Sequence, residues 1–237
     1  MNGNRTKSLK KNSYRIFDEI SKTYDNINKI LSLGIDRYWR FRLKKALPKR
    51  ENLEILDLAT GTGDIAFLLA QEKNCKKVIG LDLSREMLRI ANEKLPNSPN
   101  REKIKFIRQD GVTANFPRGS FDVVTVSFGI RNFHSLDIAL DKARALLKEN
   151  GVFLVLELSL PKNFIIKQLY LFYFRYLLPF FGRLLSGHKD AYRYLNESVE
   201  DFPSGENFKD LLTKAKFSEV TYHPMTFGVA TLYVARK

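Results

Sequence analysis

From residue 53 onward the chain repeats one unit: a short apolar run, a turn, then a stretch with helical periodicity. The apolar runs are 53–58 (LEILDL), 76–83 (KKVIGLDL), 103–110 (KIKFIRQD), 121–128 (FDVVTVSF) and 152–159 (VFLVLELS). Helical stretches at 64–71, 85–95 and 136–148 follow the first, second and fourth runs, and a polar loop follows the third. Strands and helices alternating at this spacing predict parallel strands joined by right-handed crossovers, hence an open α/β sheet covered on both faces. The runs 217–225 and 227–237 are rich in β-formers and joined at 224–226, too close for a helical crossover, so an antiparallel hairpin should end the sheet. Ahead of the repeat, 15–31 and 36–47 read as helices, separated by Gly34 and stopped by Pro48. In such a sheet ligands bind outside the carboxyl ends of the strands, which directs attention to the loops after Leu58, Leu83, Gln109, Ser127 and Leu158.

Composition narrows the setting. With 237 residues, 44% of them hydrophobic, the chain has enough length for one sizeable core and too little for two ordinary domains. It has no uncharged apolar run of about 18 residues and no apolar stretch at the N-terminus, so a cytoplasmic protein is expected. One cysteine, Cys75, and three scattered histidines favour chemistry without a metal. The net charge of +14 is unevenly placed: residues 1–50 carry 14 Lys/Arg against Asp18, Glu19, Asp25 and Asp36. Such a basic segment suits a polyanion, either nucleic acid or an anionic membrane surface, and is equally a solvated tail.

The stretch LDLATGTGD follows the first strand and opens a helix. Gly61 and Gly63 let backbone approach a ligand there, and the helix N-terminus offers free N–H groups. The stretch from Gly61 to Ala66 also satisfies the G-x-G-x-x-A dinucleotide fingerprint, with Asp82 placed as a ribose acceptor. Charge separates the two readings. Asp57 and Asp64 flank the loop and would repel a pyrophosphate, whereas S-adenosylmethionine has no phosphate and brings an ammonium and a sulfonium, so it is the preferred ligand. After the third strand, Gln109, Asp110 and Gly111 supply an acceptor and an approachable backbone for an adenine amino group, although Asp-Gly is also a common turn pair.

At these residues the chain resembles the ubiquinone/menaquinone biosynthesis C-methyltransferases, enzymes that methylate a ring carbon of a polyprenylated quinol. The resemblance runs from about Phe17 to the C-terminus and is carried by FDEISKTYDNINKILSLGIDRYW, LDLATGTGD, SFGIRN, LKENGVFLVLELS and DAYRYLNES. The family's N-terminal signature appears as Tyr24, Asp25, Asn28, Ser32 and Trp39. Ile27 and Asp36 stand where the family usually has methionine and histidine, and Asn150 precedes Gly151 in an altered lysine-x-glycine-glycine stretch. The resemblance implies a Rossmann-like S-adenosylmethionine-dependent methyltransferase fold with a mostly parallel seven-stranded sheet. It also implies cofactor contacts from Thr62, Asp82, Asp110, Gly111 and Ser127. HKDAYRYLNESVEDFP is closer to the demethylmenaquinone enzymes than to the ubiquinone ones, and one chain can serve both.

Methyl transfer to a ring carbon requires the reduced quinol, because the quinone ring is electrophilic there. Lowering a phenol from pKa about 10 to about 7 requires roughly 4 kcal/mol of differential stabilisation, which one cation in a dry site supplies. Arg131, in the SFGIRN loop, is the candidate cation, and Asn132 beside it is placed to orient the hydroxyl or cofactor. Glu157 is either a base or the partner that holds Arg131. Asp190, Tyr192 and Tyr194 lie on a segment expected to close over the substrate, where a carboxylate or phenol relays the proton.

The segment 163–185 holds eight aromatics and three cations with no acid. It reads as an interfacial cover that admits a prenyl tail, as a buried helix capping the sheet, or as a dimer interface. The expected organisation is a basic helical extension at 1–50 and a methyltransferase domain at 51–237 with a helical insertion at about 163–200, forming one compact unit. Expected partners are the quinol and the inner face of an anionic membrane, with a possible homodimer. The alternative, an RNA or DNA methyltransferase, is opposed by SFGIRN standing where an asparagine-proline-proline-aromatic motif would be, so no nucleic-acid partner is expected.

Overall fold

The computed structural model describes residues 13–177 and 189–237; the side chains of residues 13, 22, 23, 26–28, 30, 31, 177 and 189–193 lie outside the described residues, among them those of Ile27 and Asn28. Two helices, α1 (Ser13–Leu31) and α2 (Asp36–Lys45), lead into β1 (Leu53–Leu58) and α3 (Asp64–Ala70). There follow β2 (Cys75–Asp82), α4 (Arg85–Lys94), β3 (Ile104–Arg108), β4 (Phe121–Ser127), α5 (Leu136–Leu146) and β5 (Leu147–Leu158). After β5 come α6 (Phe164–Phe172), a π-turn over Tyr173–Leu177 and α7 (Lys189–Glu200). The chain closes with α8 (Glu206–Lys214), β6 (Ser218–Met225) and β7 (Ala230–Arg236).

The seven strands lie in the order β3-β2-β1-β4-β5-β7-β6, the first five parallel and β7 antiparallel to both neighbours. Because side chains alternate across a strand, each strand feeds two cores. Leu56 and Leu58 of β1, with Val124 and Val126 of β4, pack towards α5 and α8. Ile55, Val123 and Leu154 pack towards α2 and α3, where Trp39, Leu43, Ile65 and Leu69 are buried. The order reverses between β1 and β4, so their carboxyl ends diverge and leave a crevice.

Several helix ends shift by one or two residues from the expected ones, and two differences change the local structure. The helix expected through residue 148 ends at Leu146, and β5 begins at once: Leu147 pairs with Phe121 before the register shifts to Val152 opposite Val123. Asn150 takes a left-handed φ of 60° in that bulge. The hairpin turn falls later than 224–226, because Met225 still pairs with Ala230. Thr226, Phe227 and Gly228 make the reversal with φ of 48°, 58° and 93°.

Candidate active site

A cavity of about 360 Å³ fills the crevice at the carboxyl ends of the strands. Ala59 and Gly61 form its floor, Asp82, Leu83 and Met87 one wall, and residues 109–112 the end. Ser127, Phe128, Gly129 and Asn132 form the opposite wall. Tyr14, Phe17 and Tyr24 of α1 cover it.

The glycine loop is built from beneath. Asp57, at the end of β1, is fully buried and accepts hydrogen bonds from Thr60 Oγ1 at 2.6 Å and Thr125 Oγ1 at 2.7 Å. Burial pushes its pKa up to about 6; the two threonine hydroxyls pull it back, Asp82 pushes it further and Arg40 lowers it. Asp57 therefore braces the loop and does not line the cavity. Gly61 does line it, at φ 58°, and a Cβ there would meet nothing within 4 Å, so the space above it is free for a ligand. Gly63 serves packing instead: at φ 86° it caps α3, and a Cβ would stand 2.7 Å from Phe106 Cζ. Thr62 turns away from the cavity to donate to Asp25 Oδ1 of α1 at 2.7 Å.

Asp82 lines the cavity and fixes the loop at once. Its Oδ2 accepts from Gly61 N at 2.8 Å and its Oδ1 from Ser84 N at 2.8 Å, which leaves the carboxylate acceptor capacity for a ligand hydroxyl. Burial raises its pKa, the N–H groups of Ser84, Gly61 and Leu83 oppose the rise, and Asp18 adds to it. The N-cap of α4 is Ser84, which accepts from Met87 N at 3.0 Å. Asp110 and Gly111 both line the cavity, with Asp110 Oδ1 holding Val112 N at 2.9 Å. Ser127 Oγ is buried at the cavity wall without a hydrogen-bond partner. A buried orphan hydroxyl, an acid with spare lone pairs and an open glycine backbone together fit S-adenosylmethionine, whose ammonium, ribose hydroxyls and adenine need those groups.

The roof is tied down by two carboxylates whose roles sequence reading missed. Asp18 accepts from Ser84 Oγ and from Glu86 N at 3.1 Å, placing negative charge at the N-terminus of α4. Asp25 accepts from Thr62 Oγ1 and from Lys94 Nζ at 2.6 Å, and Lys94 also reaches Asp64 Oδ1 at 3.2 Å. Asp64 is held below the usual carboxylate range because Arg40 and Lys94 outweigh its burial. The only sequence-level signal for this clasp was the Tyr24-Asp25 pair.

Beside the cavity, Arg131 is buried and ion-paired with Glu157: Nη1 donates to Oε1, and the backbone N to Oε2 at 3.3 Å. Nη1 also donates to Phe128 O at 2.7 Å, and Nε to Ser198 Oγ of α7 at 3.3 Å. Burial alone would lower the Arg131 pKa; Glu157, with Tyr24 and Tyr194, reverses this and raises it. Of the two roles open to Glu157, the geometry is that of the arginine's holder. Asn132 lines the cavity, and its Oδ1 accepts from Tyr194 OH at 2.9 Å. Asp190 and Tyr192 lie in α7, with side chains outside the described residues.

The family model for ubiE/COQ5 methyltransferases matches residues 5–237. A demethylmenaquinone methyltransferase of Bacteroides fragilis is 40% identical over 223 residues, covering 94% of this chain and 91% of that protein. The Geotalea uraniireducens protein named ubiquinone/menaquinone biosynthesis C-methyltransferase is also 40% identical, covering 94% of each. Among solved structures, an S-adenosylmethionine-dependent methyltransferase of Thermotoga maritima, described as a possible histamine N-methyltransferase, superposes with a TM-score of 0.67 at 19% identity, over 94% of this chain and 99% of its own, a likeness of fold. With a family match over nearly its whole length, the chain belongs to the ubiE/COQ5 methyltransferase family.

Proposed function

We propose that this enzyme transfers a methyl group from S-adenosylmethionine to a ring carbon of a polyprenylated quinol, converting demethylmenaquinol to menaquinol. The observation that carries the reading is the continuity of one cavity from Asp82 and Gly61 to Asn132, with the buried Arg131 beside it, in a chain 40% identical to a demethylmenaquinone methyltransferase. The ubiquinone-pathway quinol is the second reading, favoured by the name of the Geotalea relative.

The donor supplies an electrophilic methyl group. In this reading Asp82 holds its ribose hydroxyls, Ser127 takes a polar edge, and residues 109–112 pack about the adenine. Arg131 stabilises the phenolate that makes the ring carbon nucleophilic. It is no literal base, since a guanidinium does not deprotonate at this pH. Glu157 keeps the guanidinium in place, Asn132 orients the quinol hydroxyl, and the proton leaves to water or along α7, where Asp190 and Tyr192 sit. No metal takes part.

We also place the enzyme on the cytoplasmic face of an anionic membrane, held by the basic 1–50 region and the aromatic 163–185 segment; residues 178–185 lie outside the described ones. Among the described residues no helix is long and apolar enough to cross a membrane. A homodimer is compatible with this arrangement, and nucleic acid is not a partner in it. Incubation with methyl-labelled S-adenosylmethionine and either reduced demethylmenaquinone or total RNA tests the assignment: label in the quinol ring supports it, and label in RNA alone refutes it.

A further inference from the structure

Twelve large apolar side chains are exposed among the described residues, and all but Leu83 and Ile138 fall on three places in the chain. The first is the α1–α2 turn and the outer face of α2, where Leu33 is 81% exposed and Tyr38 and Phe41 are also uncovered. The second is Phe227, 78% exposed at the tip of the β6–β7 turn. The third is α6 with its π-turn, where Ile165, Leu169, Phe172 and Tyr176 recur at spacings of four, three and four residues, one face of a helix.

These places are far apart in sequence and adjoining in the fold. Trp39 Nε1 of α2 donates to Thr226 Oγ1 at 2.8 Å, which seats α2 against the turn that carries Phe227. The next residue, Gly228, lies so close to the chain entering α6 that a Cβ would stand 3.3 Å from Pro161 Cα. Ser159 Oγ donates to Gly228 O at 2.8 Å and fastens the same junction. The turn follows the end of β6 and α6 follows the end of β5, while Trp39 packs on Phe128 of the cavity wall with ring centroids 6.1 Å apart. The uncovered groups therefore share the cavity's end of the sheet.

The charge on these elements is predominantly positive, although Lys44 pairs with Glu72 and Arg175 with Glu200. α2 carries Arg37, Arg42, Lys44 and Lys45, and its one acid, Asp36, is buried and engaged by Ser32 and Arg40. Residues 163–177 contain cations and no acid. A monomer rarely exposes so much large apolar surface in one region, and aromatic and aliphatic groups among cations match the headgroup boundary of an anionic bilayer.

We infer that α2, the Phe227 turn and α6 form one discontinuous docking surface for an anionic lipid bilayer, which sets the mouth of the cavity against the membrane. The inference rests on the membrane partner proposed above and goes beyond it in assigning the contact to folded elements, Phe227 foremost, in place of the N-terminal tail.

Flotation of the full chain with vesicles of phosphatidylcholine and phosphatidylglycerol, without quinol, tests this independently of what the enzyme methylates. Phe227→Asn suits the left-handed backbone there, and Ile165→Gln with Leu169→Gln alters exposed positions only; S-adenosylmethionine binding confirms that each variant is folded. The surface predicts that the wild-type chain floats with anionic vesicles and that each variant partitions about tenfold or more weakly, burial of one such side chain being sufficient for that factor. Partitioning that survives both variants and disappears on deleting residues 1–12 overturns it. So does a wild-type chain that stays off every vesicle, and a chain that the same variants convert from dimer to monomer shows instead an interface between copies. Vesicle binding without quinol methylation would refute the proposed activity and leave the surface standing.

Discussion

Arg131 and Glu157, 26 residues apart in the chain, form an ion pair sealed from solvent, the arginine side chain 4% exposed and the glutamate 0%. Desolvating two charges is unfavourable, so such a pair persists only where each partner compensates the other. Through Ser198 the arginine also reaches α7, so the loop after β4, the end of β5 and α7 meet at one guanidinium.

Arg131→Gln should therefore both destabilise the fold, by about 3–5 kcal/mol for the glutamate left unpaired, and abolish most methylation. Pairing Arg131→Met with Glu157→Leu separates these effects. Urea denaturation should show most of the stability restored, S-adenosylmethionine binding should stay within a few fold, and quinol methylation should remain about a hundredfold or more below wild type. Partial recovery at high pH, where more quinol ionises in solvent, should accompany the loss. Unchanged turnover in the double variant would remove Arg131 from the chemistry.

In the proposed site Asp82 links the ligand to the loop that receives it. Asp82→Ala removes the proposed ribose acceptor and frees Gly61 N and Ser84 N. The expected cost in S-adenosylmethionine affinity is about 1.5–3 kcal/mol for charge-assisted bonds. Calorimetry measures it directly, and affinity equal to wild type would displace Asp82 from the site.

Asp57 makes a pH prediction. Its folded pKa of about 6 lies above the ordinary 3.8, so in the window between them the folded chain holds a proton that the unfolded chain has lost. This site's contribution to stability is complete below that window and declines as pH rises through 6, by about 3 kcal/mol in all. Asp57→Asn removes the dependence, so urea midpoints should show the variant gaining on the wild type between about pH 4 and pH 7. A difference independent of pH would contradict the raised pKa.

The clasp of Asp25 on Thr62 and Lys94 holds α1 over the cavity. Lys94 and Asp25 are partly solvated, so Lys94→Ala should cost global stability only about 1 kcal/mol or less. Its effect should be local: faster hydrogen exchange across α1 and quicker release of S-adenosylmethionine, with the exchange of β1 and β4 unchanged. Equal protection of α1 in variant and wild type would refute the clasp.

The parallel sheet was legible because each of its strands is an apolar run bounded by turn residues, and the antiparallel end because 217–225 and 227–237 stand too close for a crossover. Gly61, Asp82, Asp110, Gly111 and Ser127 were legible as cavity residues because position at a strand end is a local property. Direction was not. Asp57 and Thr62 sit in the same motif, yet one faces Thr125 and the other Asp25, and those partners come from distant parts of the chain. The bond from Trp39 to Thr226 spans 187 residues, and no periodicity carries it. The late hairpin turn escaped notice because Thr226 and Phe227, poor candidates for left-handed φ, supply it together with Gly228.

The most direct test of the central claim is the site of methylation on a defined quinol. Purified protein, methyl-labelled S-adenosylmethionine and chemically reduced demethylmenaquinone should yield menaquinol with the label on the ring carbon, and the same mixture with oxidised quinone should yield none. Label on a quinol oxygen, label independent of reduction, or no label in the quinol with transfer to RNA would contradict the account.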